Sequence, residues 1–164
     1  KNCLVAMPVV IQTGPCVTNR PSRTSFVQKT LIDSGPLIAL FDGSDRHHQL
    51  VLECLRSYRG QLVSSWAVLT EVSHMLDFNL QVQLDFLAWV ERGALQVCDI
   101  AQTELLAIRS MMEKYGDLPM DLADASLLHL ANRENIRQII SIDSDFDVYR
   151  TLKRQPLKNL LYSW

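Results

Sequence analysis

The sequence predicts an α/β protein: a three-layer α/β/α sandwich around a central parallel sheet of four to five strands. Three observations carry this expectation. Short aliphatic and β-branched runs alternate with helical segments of about 10 to 14 residues, the rhythm of crossover connections, which parallel strands require. Glycines at 43, 60, 93 and 116 stop successive helical patterns. The chain has 164 residues, 48% of them hydrophobic, enough for one buried core without disulfides or a structural metal.

Taken in order, residues 1–26 contain Pro8, Gly14, Pro15 and Pro21 and no sustained period, so they read as an extension outside the core. Residues 27–164 read as a single domain. From about Phe26, "FVQKTLID" is a short buried strand ending in Asp33, and "SGP" then reads as a turn. "LIALFDG" predicts a short helix, and "HHQLVLECLRSYRG" an amphipathic one with Leu50, Val51, Cys54 and Leu55 inward. "QLVSS" is a second strand. "AVLTEVSHMLD" and "VQLDFLAWVER" are helical and separate near Asn79; "ALQVCDI" is a third strand. "TELLAIRSMMEKYG" and "LADASLLHLANREN" are two further helices, and "RQIISID" is a fourth strand with Asp143 at its exit. The tail from Phe146 lacks a period, with a short final strand expected near Leu160.

Composition narrows the class. Sixteen basic against eighteen acidic residues give a net charge of −2, so this is no polycation that coats nucleic acid in bulk. Cys3, Cys16, Cys54 and Cys98 show no C-x-x-C spacing, which suits reduced thiols and a cytoplasmic location. No apolar run approaches the roughly 20 residues of a membrane span. "CLVAMPVVI" is interrupted by Pro8 and makes a poor signal peptide; Met7 is an alternative natural start. G-x-S-x-G, P-loop and dinucleotide fingerprints are missing from the sequence.

The acids are the informative residues. Asp33 and Asp143 stand at strand exits, where open α/β sheets bind ligands, although each also suits a turn or a cap. Glu71 falls at the edge of the apolar stripe formed by Val68, Val72, Met75 and Leu76, not opposite it. Asp121 suits a helix N-cap and Asp124 an acid in the first turn, which would explain both cheaply. Yet Asp124, Leu128 and Ala131 follow i, i+4, i+7, which turns Asp124 toward the core with no Lys or Arg within a turn of it. A lone buried carboxylate costs several kcal/mol. If Asp33, Glu71, Asp124 and Asp143 converge, each pair at about 4 Å repels by about 4 kcal/mol at an effective dielectric near 20. Either some are protonated or a hard divalent cation sits among them, and all-oxygen ligands favour Mg²⁺ or Mn²⁺. A carboxylate-held cation with open water positions is equipment for phosphodiester hydrolysis.

The blocks "TLIDSGPLIALFDGSDRHHQLVLECL", "VSSWAVLTEVSHML", "LPMDLADASLLHLA" and "IISIDSDFDVYR" resemble, in order and spacing, the PIN-domain family. They are especially similar to VapC-type toxin ribonucleases of bacterial type II toxin-antitoxin pairs. The resemblance spans about residues 29–150 and implies a Mg²⁺- or Mn²⁺-dependent endoribonuclease acting on single-stranded or structured RNA. It further implies an antitoxin partner and a homodimer. On this resemblance Asp33, Glu71, Asp124 and Asp143 are the metal-binding and catalytic acids, and Asp121 is auxiliary. Ser141 stands where the family's fourth block usually has Thr and keeps the hydroxyl; Asp145 is the rival for the fourth acid. The expected products carry a 5′-phosphate and a 3′-hydroxyl.

Other polar residues carry less. Ser34 either assists Asp33 or starts the turn. His47 and His48 lack the companions of a zinc site and suit a helix start. Arg150, Lys153, Arg154 and Lys158 could follow an RNA backbone or simply be a solvated tail. Two rival functions are a catalytically inactive PIN-like module that binds RNA or protein, and a small-molecule protein that uses the same acids for a phosphorylated metabolite.

Overall fold

The computed structural model describes residues 28–118 and 120–162; the predicted extension, and the first two residues of the first predicted strand, lie outside them. Five strands, β1 (Lys29–Ile32), β2 (Gln61–Ser65), β3 (Leu95–Cys98), β4 (Gln138–Ile140) and β5 (Lys158–Asn159), form one sheet in the order β3-β2-β1-β4-β5. All pairings are parallel. The connections contain α1 (Ser34–Phe41) and α2 (His48–Ser57), then α3 (Trp66–Met75) and α4 (Leu80–Glu91), then α5 (Leu105–Lys114) and α6 (Leu122–Arg133). The first two connections step in one direction along the sheet and the third steps back. Right-handed crossovers therefore put α1 to α4 on one face and α5 and α6 on the other. That is the predicted sandwich, with five strands.

The centre of the sheet is covered on both faces, which is why β1 and β4 read as apolar runs without alternation. Leu31, Ile32, Val63, Ile139 and Ile140 are inaccessible to solvent, and Leu37, Phe86, Leu127, Leu128 and Leu130 pack from the helices. Phe41 meets Phe86 and Trp89 edge-on, with ring centroids 5.4 and 5.7 Å apart, joining α1 to α4. Cys54 and Cys98 are buried, as small apolar side chains commonly are.

Two local expectations are corrected. "SGP" is not a turn before a helix: α1 begins at Ser34, so Gly35 and Pro36 lie inside its first turn. Proline is tolerated there because first-turn N–H groups have no intrahelical acceptor. The segment after β3 enters its helix through a 3-10 turn at Gln102–Glu104, where Glu104 Oε2 accepts from the Ala101 N–H at 2.7 Å. The histidine pair does serve a helix start: His48 Nδ1 bonds the Ala39 carbonyl at 2.7 Å, and His47 lies 3.4 Å from Asp45.

The sheet order reverses its direction of growth at β1, between β2 and β4. In open α/β sheets the crevice at the carboxyl end of such a switch point is the usual ligand site. The β1–β4 ladder runs one residue past β1, with the Asp33 N–H donating to the Ile140 carbonyl at 3.1 Å.

Candidate active site

Asp33 leaves β1 and caps α1 at once. Its Oδ1 accepts from the Ser34 N–H at 2.7 Å, and its Oδ2 accepts from the Ser141 hydroxyl at 2.9 Å. Only 6% of Asp33 is exposed. Burial pushes its carboxyl up to about 6, with Glu71 and Asp143 adding repulsion; the Ser141 hydroxyl and the Ser34 N–H act in the opposite direction.

Ser141 ties two of the predicted acids together. While donating to Asp33, its oxygen accepts from the Asp143 N–H at 2.9 Å, fixing the turn after β4. Asn159 on β5 holds Ser141 in place by donating from Nδ2 to its carbonyl at 2.8 Å. Asp143 also caps the following 3-10 turn, Ser144–Asp147, by accepting from the Asp145 N–H at 2.9 Å. The capping reading of Asp143 is therefore correct, and it coexists with proximity to the other acids.

Asp121 is the N-cap of α6, accepting from the Asp124 N–H at 2.9 Å. Asp124, one turn into the helix, is half-buried, and its Oδ2 accepts from the Tyr149 hydroxyl at 3.2 Å. Burial first, then the charges of Asp33, Asp121 and Asp143, push its carboxyl up to about 7, against the Tyr149 hydrogen bond. Glu71, half-buried on α3, is also raised by burial and by Asp121, with the Ser34 hydroxyl opposing. Asp33, Glu71, Asp121, Asp124 and Asp143 thus act electrostatically on one another at the switch point. Asp145 instead counts among the charges acting on Tyr149.

Among the described residues no ion pair with Lys, Arg or His involves any of these five acids. Nor, among them, does a group of three or more His, Cys, Asp or Glu side chains already meet the geometry of a metal cage. Carboxylates that repel one another with no ion-pair partner among the described residues suit a hard cation such as Mg²⁺, which keeps several waters and takes only one or two carboxylates directly. Asp33, Glu71, Asp124 and Asp143 could offer it carboxylate oxygens, with Asp121 beside them.

Three features of the site escape sequence reasoning. One is Tyr149, which no pattern in the sequence singles out. Another is the pair Ser65 and Ser126, whose buried hydroxyl oxygens lie 2.6 Å apart and join the start of α3 to α6. Asn159 is the third. Each pairs across 18 or more positions, beyond any local periodicity. Of the predicted cations, Lys153 and Arg154 are exposed, whereas the Arg150 guanidinium donates to the carbonyls of Asp147 and Tyr149 at 2.6 and 2.9 Å.

The model of a known family, described as PIN domain, matches residues 30–152. The chain belongs to the PIN-domain family. Within it, the chain is 30% identical over 115 residues to Ribonuclease VapC26 of Mycobacterium tuberculosis, covering 69% of this chain and 85% of that relative. Three solved structures share the PIN fold at lower identity. The crystal structure of M. tuberculosis VapC20, described as a Sarcin-Ricin loop cleaving toxin, superposes with a TM-score of 0.69 at 15% identity, over 77% of this chain and 99% of that one. A toxin-antitoxin complex from Klebsiella pneumoniae gives 0.56 at 23% identity, over 71% and 89% of the two chains. VapBC2 from Rickettsia felis, bound to a DNA fragment from its promoter, gives 0.55 at 13%, over 80% and 98%.

Proposed function

We propose that this PIN-domain chain is an endoribonuclease that hydrolyses RNA phosphodiester bonds with Mg²⁺ or Mn²⁺ held by Asp33, Glu71, Asp124 and Asp143. The observation that carries this reading is the set of mutually repelling, partly buried acids at the switch point, with no ion-pair partner among the described residues. When bound, a divalent ion supplies charge neutralisation on a phosphate oxygen and a more acidic water. The protein's own residues hold the acids in place. Ser141 and the Ser34 N–H fix both oxygens of Asp33, Asp121 fixes the start of α6, and Asp143 is held by the Ser141 oxygen. Catalysis then rests on positioning and preorganised charge, with no covalent enzyme intermediate.

The named relative is a ribonuclease, and two structural neighbours are described as toxins or toxin-antitoxin complexes. These similarities support RNA as the substrate, a toxin role and a protein antitoxin as the partner. A homodimer and a cytoplasmic location complete the reading. Among the described residues no helix is long and apolar enough to cross a membrane. Lys153 and Arg154, rather than the Arg150 guanidinium already bonded to two carbonyls, suit contact with an RNA backbone.

The decisive experiment measures RNA cleavage in Mg²⁺, Mn²⁺ and EDTA alongside Asp124→Asn. Cleavage should need the divalent ion and fall at least about 100-fold in the variant, since even residues that merely support a metal ligand contribute about 10- to 100-fold. Cleavage indifferent to both EDTA and the substitution would overturn the metal assignment. RNA binding without turnover would favour the inactive module.

A further inference from the structure

We propose that Tyr149 is a positioning residue of the acid centre: its hydroxyl occupies Asp124 Oδ2 and leaves Oδ1 as the oxygen offered to the divalent cation. The inference rests on the metal-dependent reading above and deepens it.

Tyr149 is fully buried, so its ring is held by its surroundings and not by solvent. Phe146 and Tyr115 pack against it edge-on, with centroids 5.3 and 5.1 Å away. Tyr115 also clamps the adjoining backbone, its phenol oxygen accepting from the Arg150 N–H at 2.9 Å. The Arg150 guanidinium donates to the Tyr149 carbonyl at 2.9 Å. The ring is thus braced by two aromatic neighbours and at its main chain, and its single polar atom lies 3.2 Å from Asp124 Oδ2.

A tyrosine hydroxyl has one proton to give, and an ionised carboxylate can only accept. Donation to Oδ2 therefore sets the rotation of the Asp124 side chain and spends one of its two oxygens. Carboxylates that bind metals are commonly oriented by such outer partners, whose loss weakens affinity about 10- to 100-fold. The Asp121 cap fixes the helix beneath Asp124, but its bond goes to the Asp124 main chain and leaves the side chain free to rotate. Tyr149 supplies that missing restraint.

The test compares Mn²⁺ affinity, by titration of the free-ion signal in electron paramagnetic resonance, for wild type, Tyr149→Phe and Tyr115→Phe. Tyr149→Phe keeps the ring and removes only the hydroxyl; melting in EDTA verifies that each variant is folded. Tyr115→Phe removes a hydroxyl from the same aromatic stack without touching Asp124. The expected result is Mn²⁺ binding about 10-fold weaker or more in Tyr149→Phe and a clearly smaller loss in Tyr115→Phe, which loosens the brace but keeps the Tyr149 hydroxyl on Asp124. Wild-type affinity in Tyr149→Phe, or equal losses in both variants, would overturn the inference, because the stack would then serve packing alone. A wild type that takes up no Mn²⁺ would remove the metal reading itself, a result distinguishable from both.

Discussion

At the residue scale, the acids of this site invert the usual pH dependence of a carboxylate. An Asp paired with a cation has a lowered pKa and stabilises the fold at neutral pH. Asp33 goes the other way, from 3.8 in the free side chain to about 6, because it is buried among other acids. Between those values the folded state binds more protons than the unfolded one, so stability falls as pH rises. Asp124, at about 7, extends the same trend upward. Without metal, the stabilisation from these two acids should therefore be full below about pH 4 and be lost through pH 6 to 7, and at about 1.4 kcal/mol per unit the loss at Asp33 is on the order of 3 kcal/mol. Thermal melts in EDTA across this range check it, and Asp33→Asn should flatten the decline while abolishing cleavage. Ser141 gives a second prediction. Ser141→Ala releases Asp33 Oδ2 and the Asp143 N–H together and should lower cleavage about 10- to 100-fold, whereas Ser141→Thr should retain most of it. Rates for the three proteins at saturating Mg²⁺ decide the matter.

At the scale of single elements, α6 shows how a cap and a functional acid can share one turn. Asp121 closes the helix end and acts on Asp124 and Glu71 through its charge. The two roles separate by substitution: Asp121→Asn keeps the cap and removes the charge, while Asp121→Ala loses both. The alanine variant should be less stable than the asparagine variant by about 1 kcal/mol, measured by denaturant titration. Periodicity made Asp124 and Glu71 legible from sequence, because a helical wheel places a side chain without reference to other elements. The start of α1 was not legible in the same way. Ser-Gly-Pro carries the composition of a turn, and only the capping bond of Asp33 makes it the first turn of a helix. Tyr149 was less legible still, since its hydroxyl finds Asp124 across 25 positions and nothing in "DSDFDVYRTLKR" names that partner.

For the whole molecule, alternation of strand and helix was enough to read a parallel sandwich, and the strand exits were enough to place Asp33 and Asp143 at one rim. The strand order was not written locally; it follows from which connections step forward and which steps back. The assembled protein should respond to metal as one unit. An ion that binds the folded form alone stabilises it by about 2.7 kcal/mol at a hundredfold excess over its dissociation constant. Mn²⁺ should therefore raise the melting temperature most at neutral pH, where the acids repel most strongly, and differential scanning calorimetry at pH 5 and 7.5 checks this. The placement of β1 between β2 and β4 has a consequence in time. Synthesis delivers Asp33 early, yet its partner Ser141 lies 108 residues further along the chain. Domains generally fold as units during synthesis. A half-made chain on the ribosome thus holds its first acid with no counterpart, and the acid centre assembles only after the last strands emerge.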